Sequence, residues 1–142
     1  MNLPLTWLAA PAAAVLARRW PAVALGLLAV PAVNAFAHLG PALAGGGYNP
    51  GLVTAVLLFL PLSLWAFRVA WTLPDLGRRV VAAALVGGVA VHAVLMLSLK
   101  AYLAGRLGEP ALLAVQIANP ALPMLLAAAA ARRWPVGSSR PA

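Results

Sequence analysis

The chain contains no cysteine, and Asp75 and Glu109 are its only two acidic residues. The first absence excludes disulfides, thiolate metal sites and cysteine nucleophiles. The second argues against paired-carboxylate acid–base chemistry and a carboxylate proton relay through the membrane, since both acids fall in stretches that read as loops. Charge of either sign is scarce: 8% of the 142 residues are charged, against about a quarter in a soluble domain. So few charges cannot clothe a globule in water. A glycine-rich phosphate loop, a serine elbow and a His-Glu-x-x-His helix are also missing. The two histidines, His38 and His92, fall one short of the three protein ligands that even a catalytic zinc needs, so no metal is assigned and no cofactor can be named.

What is present is apolar: 64% of the residues are hydrophobic and the mean hydropathy is +0.96. These values describe an integral membrane protein, all-α, since helices are the simplest way to satisfy every backbone group in lipid. Apolar runs long enough to cross a bilayer are expected over residues 21–43, 50–71, 80–103 and 111–131, giving a bundle of four transmembrane helices. Pro31, Pro61, Pro120 and Pro123 fall inside these runs and predict kinks. Residues 1–17 carry Pro4 and Pro11 and no charge. Without a basic leader they do not read as a signal peptide, and they are expected to form a short interfacial helix with Trp7 at headgroup level, or else a poor first span. Residues 18–135 are expected to form the transmembrane domain, and residues 136–142 a disordered tail.

The net charge of +8 does not point to nucleic acid, because the basic residues flank the apolar spans. Arg18, Arg19, Arg68, Arg78, Arg79, Arg132, Arg133 and Arg140 fall on one side of a four-span topology, and Lys100 and Arg106 on the other. The positive-inside rule therefore places both termini in the cytoplasm, with the chain crossing the membrane several times. The string Ala-Arg-Arg-Trp-Pro occurs at Ala17–Pro21 and again at Ala131–Pro135. Two similar boundaries, with arginines at the headgroups and a tryptophan in the aromatic belt, account for it.

Polar side chains within the spans are few and gather at one depth. Counting about 1.5 Å per residue, Asn34 and His38 on the first span, Thr54 on the second, His92 on the third, and Gln116 and Asn119 on the fourth all lie between the bilayer centre and its outer face. Polar groups at this depth need partners or a wet cavity. The six are expected to line one outward-facing polar pocket as ligand-binding residues. The plainer reading differs by residue. Asn34, Gln116 and Asn119 would be interhelical glue, worth about 0.6 kcal/mol each. Thr54 would bond its own helix, and Gly87-Gly88 would let helices pack closely. His92, an imidazole near mid-membrane, is the least explained by glue.

The Tyr48-Asn49-Pro50-Gly51 string reads as a hairpin leading into the second span, with Asn49 able to cap that helix and Pro50 able to sit in its first turn. The pattern Asn34-x-x-x-His38, then Tyr48-x-Pro50-Gly51-x-x-Thr54-Ala55 and Leu60-Pro61, resembles part of the HXXEE family of small bacterial membrane proteins. That family is named for a His-x-x-Glu-Glu motif on a membrane helix, followed by a further histidine and a Tyr-x-Pro-Gly-x-x-Thr segment. The resemblance spans Asn34 to about Leu64. It implies a structural hairpin built from His38, Tyr48, Pro50, Gly51 and Thr54. The naming glutamates are absent here, since Leu39-Gly40-Pro41-Ala42 follows His38 and Ala93-Val94-Leu95-Met96 follows His92.

Three functions remain open at this level. In the first, the pocket holds a small-molecule or lipidic ligand for binding or transport. Alternatively, His38 and His92 could serve a membrane enzyme as acid–base groups or metal ligands, or the polar layer could anchor a structural or assembly subunit. The expected partners are the lipid bilayer, further copies of the chain as a homo-oligomer, or another membrane protein.

Overall fold

A computed structural model describes residues 8–133. The expectations for Trp7 and for the tail at 136–142 lie outside these residues. Among the described residues the fold is all-helical, with no strand. A short helix α1 (Ala10–Ala17) is followed by four helices long and apolar enough to cross a membrane. They are α2 (Pro21–Gly46), α3 (Leu52–Thr72), α4 (Gly77–Leu103) and α5 (Glu109–Arg132). Short connections alternate their directions. Arg18, Arg19, Arg78, Arg79 and Arg132 therefore gather at one end, called here the basic end. The glycine-rich α2–α3 hairpin and the α4–α5 connection lie at the other.

Prolines and glycines set the helix limits for identifiable reasons. Pro21 and Pro110 sit in first turns, where their missing N–H groups cost nothing. Helix α2 widens into a π-helical turn over Ala42–Gly46 and ends where Gly45 adopts φ +86°, a conformation that glycine enters without strain. In α3 a π-helical turn over Ala55–Phe59 precedes Pro61. The ring of Pro61 crowds the carbonyl four residues back, and a widened turn relieves that crowding. Helix α5 breaks at Asn119-Pro120 into Glu109–Ala118 and Ala121–Arg133.

The core is built by α2, α4 and the second half of α5, in the half of the bundle nearer the basic end. Its residues are small: Ala22, Ala29, Ala84 and Ala127 are buried with Leu25, Val80 and Val81. On α4 the buried set Val80, Ala84, Gly87, Gly88 and Val91 recurs at three- and four-residue steps, so one stripe faces inward. Three glycines carry the closest approach. A Cβ on Gly26 would collide with the Pro123 carbonyl, one on Gly87 would lie 2.5 Å from Pro123 Cα, and one on Gly88 would lie 2.6 Å from the Ala29 carbonyl oxygen. Pro123, fully buried, is thus wedged between α2 and α4. Between lipid-facing helices, where apolar burial yields little, such close backbone packing is the main attractive term.

The other elements are looser. Helix α3 leaves Leu57, Leu62, Leu64 and Trp65 more than half exposed, an apolar face of the kind a membrane-crossing helix turns to lipid. Helix α1 folds back along α2. Its Leu16 shares a cavity with Pro21 to Val23, while Ala10 shares another with Leu27, Leu28 and Pro31. Ala10 therefore lies about 10–15 Å along α2 from the start of that helix. The first half of α5 buries none of its residues, so it leans away from the bundle above the Asn119-Pro120 break.

Candidate functional site

That leaning opens a cavity of about 350 Å³ toward the hairpin end, within the volume range of small-ligand pockets. Asn34 of α2, His92 of α4, and Gln116 and Asn119 of α5 line it, against apolar walls that include Leu28, Val30, Phe59, Val91 and Leu95. Four of the six expected residues thus meet in one place. Among the described residues, none of the lining side chains carries a fixed charge.

Each polar group is held differently. The buried Asn119 donates its Nδ2 to the Val91 carbonyl at 2.9 Å, tying α5 to α4 where α5 breaks. Its Oδ1 is buried and accepts nothing among the described residues. Exchanging the amide's two ends would set two oxygens against each other, so this orientation is fixed. Pro120 and Pro123 each lack an N–H, leaving the Gln116 and Asn119 carbonyls without their usual helical donors. The Asn119 carbonyl instead accepts the Leu122 N–H at 3.1 Å.

Gln116 donates its Nε2 to Ser98 Oγ at 2.7 Å, and Ser98 donates in turn to the Leu95 carbonyl at 3.1 Å. His92 is half-buried, and its Nδ1–H donates to the Gly88 carbonyl at 2.8 Å. Because a carbonyl only accepts, the hydrogen must sit on Nδ1, which leaves Nε2 with an open lone pair in the neutral ring. Asn34 is half-buried and makes no hydrogen bond within the described residues.

His38 and Thr54 do not join this group. Thr54 is exposed on the outside of α3. His38 sits at the end of α2 in a clamp that closes the hairpin. Its Nδ1–H donates to Asn49 Oδ1 at 2.6 Å, and Asn49 Nδ2 donates to the His38 carbonyl at 3.0 Å. The second bond fixes the amide's orientation, and hence the imidazole tautomer. The ring lies over Gly51, where φ is +95° and a Cβ would come within 3.0 Å of His38 Cε1. Gly51 is needed both for the turn and for the ring.

Asn49 is therefore no helix cap. Gly51 occupies that position without any side-chain cap, and the Asn49 amide is spent on His38. A contact 11 residues apart across a turn is tertiary, and no local pattern announces it. Ser98 and Ser63 were also missed. Ser98 could have been found by matching depths, because it and Gln116 lie similar distances from the α4–α5 connection. Ser63, buried on α3, points its Oγ at the Leu28 carbonyl of α2 at 3.4 Å.

The first 66 residues match the model of a family described as a protein of unknown function with HXXEE motif, over residues 1–66. Residues 1–66 are HXXEE-like. The HXXEE-like segment carries Asn34, the whole His38–Asn49–Gly51 clamp, and α1 with most of α3. The remaining cavity residues, His92, Gln116 and Asn119, lie beyond it. No curated protein and no solved structure matches the chain. Among the described residues no three histidines or acids come together as a metal site.

Proposed function

We propose that this protein resides in a bacterial inner membrane, crosses it four times with both ends of the chain in the cytoplasm, and binds a small uncharged polar or lipidic molecule in the cavity between α2, α4 and α5. The clustering of arginines at the basic end supports the orientation, since cytoplasmic flanks are the arginine-rich ones. The convergence of Asn34, His92, Gln116 and Asn119 on one cavity carries the binding reading.

The lining chemistry narrows the ligand. With no charge among the lining residues, an ionic ligand would lose its hydration without compensation. The His92 Nε2 lone pair accepts, and the unpaired Asn34 amide both donates and accepts, so a hydroxyl or amide group is matched on both counts. The apolar walls take a short hydrocarbon body. A reaction at paired imidazoles is not favoured, because His38 is engaged in the hairpin clamp and does not line the cavity.

Native mass spectrometry of the protein released from lipid discs tests the reading. The expected result is a bound species of defined mass that is lost on Asn34→Leu and on Leu95→Trp, which fills the cavity. A protein that carries no such species, or keeps it when the cavity is filled, would refute the proposal.

A further inference from the structure

A second cavity, about 520 Å³, lies at the basic end between α1, α2 and the second half of α5. Its walls are apolar, with Leu16, Val23, Met124, Leu125 and Ala128 among them. Its mouth is not: Arg19, Arg132 and Trp20 stand there with Asp75. The Arg132 guanidinium lies 6.0 Å from the centre of the Trp20 ring, a cation–π contact that holds the cation at the mouth.

From Ala121 to Arg132, both lining residues, the trough runs about 16 Å at 1.5 Å per residue. That is close to one leaflet, half of the roughly 30 Å hydrocarbon core. A free anion would occupy only the mouth and leave this length of apolar wall uncovered. An acyl chain fills the wall and brings a phosphate to the guanidiniums.

We propose that this trough binds one acyl chain of an anionic phospholipid, with its phosphate held at the mouth by Arg19 and Arg132. The site shares with the function proposed above only the placement of the chain in a bilayer. It takes a different ligand at the opposite end, so either can fail without the other. Two guanidiniums against the single Asp75 carboxylate leave the mouth positive, which favours a net-negative headgroup over a zwitterionic one. Each basic group near an anionic lipid surface gives a several-fold preference. Trp20 adds an amphipathic ring at the height where such rings settle.

The test uses the full chain in detergent, titrated separately with phosphatidylglycerol, phosphatidylcholine of the same acyl chains, and inorganic phosphate, with adducts read by native mass spectrometry. Phosphatidylglycerol is expected to bind roughly tenfold more tightly than phosphatidylcholine, and phosphate alone to form no stable adduct. The double variant R19Q/R132Q should bring the two lipids level. Ala128→Phe, which narrows the trough and leaves both arginines in place, should weaken phosphatidylglycerol to the same extent. The proposal is overturned if the two lipids bind wild type alike, if either variant keeps wild-type affinity for phosphatidylglycerol, or if phosphate binds as tightly as the lipid. Should R19Q/R132Q not fold, Ala128→Phe and the lipid series decide the matter alone.

Discussion

Replacing Gly26 by alanine tests the claim that backbone contact around Pro123 holds the bundle together. The added Cβ would meet the Pro123 carbonyl carbon at 2.7 Å and Met124 Cα at 2.8 Å, about 1 Å short of the carbon–carbon optimum. Every atom it meets is backbone, so no side-chain rotation relieves the contact and α5 must move as a unit. Overpacking of this kind costs about 1–3 kcal/mol. Lost dispersion along the α2–α5 seam adds to it. Gly40→Ala is the internal control. It lies in the same helix, a Cβ there would meet nothing within 4 Å, and alanine's helix preference gives up to about 1 kcal/mol of gain. Reversible unfolding in mixed micelles, followed by helical circular dichroism, should place Gly26→Ala about 2–4 kcal/mol below Gly40→Ala. If the two variants unfold together, the three-helix wedge is not what holds the bundle.

Gly87→Ala should behave like Gly26→Ala in the same assay, losing about 1–3 kcal/mol, because its Cβ would face Pro123 from the opposite side at 2.5 Å. Asn49→Ala should cost about 1–2 kcal/mol through its two lost hydrogen bonds; in a double-mutant cycle with His38→Ala the two losses should fall short of additive. Gly51→Ala should cost at least as much, since it meets both a positive φ and the His38 ring, and hydrogen exchange at the hairpin amides should quicken with it. Asn119→Leu should be close to neutral in stability, because it removes an unpaired buried oxygen together with the bond that Nδ2 makes. A loss above about 2 kcal/mol would mean that the oxygen has a partner.

The four-helix architecture was legible because lipid imposes it: long apolar runs bounded by Arg-Arg-Trp or by glycine admit few other structures. The convergence of Asn34, His92, Gln116 and Asn119 was legible for a related reason. Depth along a span can be counted from its ends, and polar groups at one depth in a small bundle have few ways to avoid one another. Rotation about the helix axis cannot be counted so simply, and both misplaced residues fail there. Thr54 has the right depth but sits on the exposed side of α3. His38 has the right spacing from Asn34, yet its ring is held away by Asn49 and Gly51, partners that fold back from the far side of the turn. The cavity at the basic end left no mark on a linear reading. Its walls are alanine, leucine and valine like the rest of that half, and it exists because α1 doubles back along α2.

Hydrogen-bonding capacity separates glue from ligand contact more sharply than residue type does. Asn119 and Gln116 commit donors to α4, one to the Val91 carbonyl and one to Ser98, and so hold the leaning half of α5 at a fixed distance from the bundle. They set the width of the cavity. Asn34 commits nothing, and His92 spends only Nδ1 on its own helix. Those two, together with the Asn119 Oδ1 that accepts nothing among the described residues, keep unspent capacity beside an apolar-walled space, where an unmet polar group is costly. The division has a mechanical consequence. Removing the Gln116 bond frees the upper half of α5, whose remaining contacts are few, and should change the size of whatever fits. Removing the Asn34 amide leaves the walls in place and should change only the chemistry of what is held. A bundle that used all four groups as mutual glue would satisfy them against one another, and here none of the four bonds another.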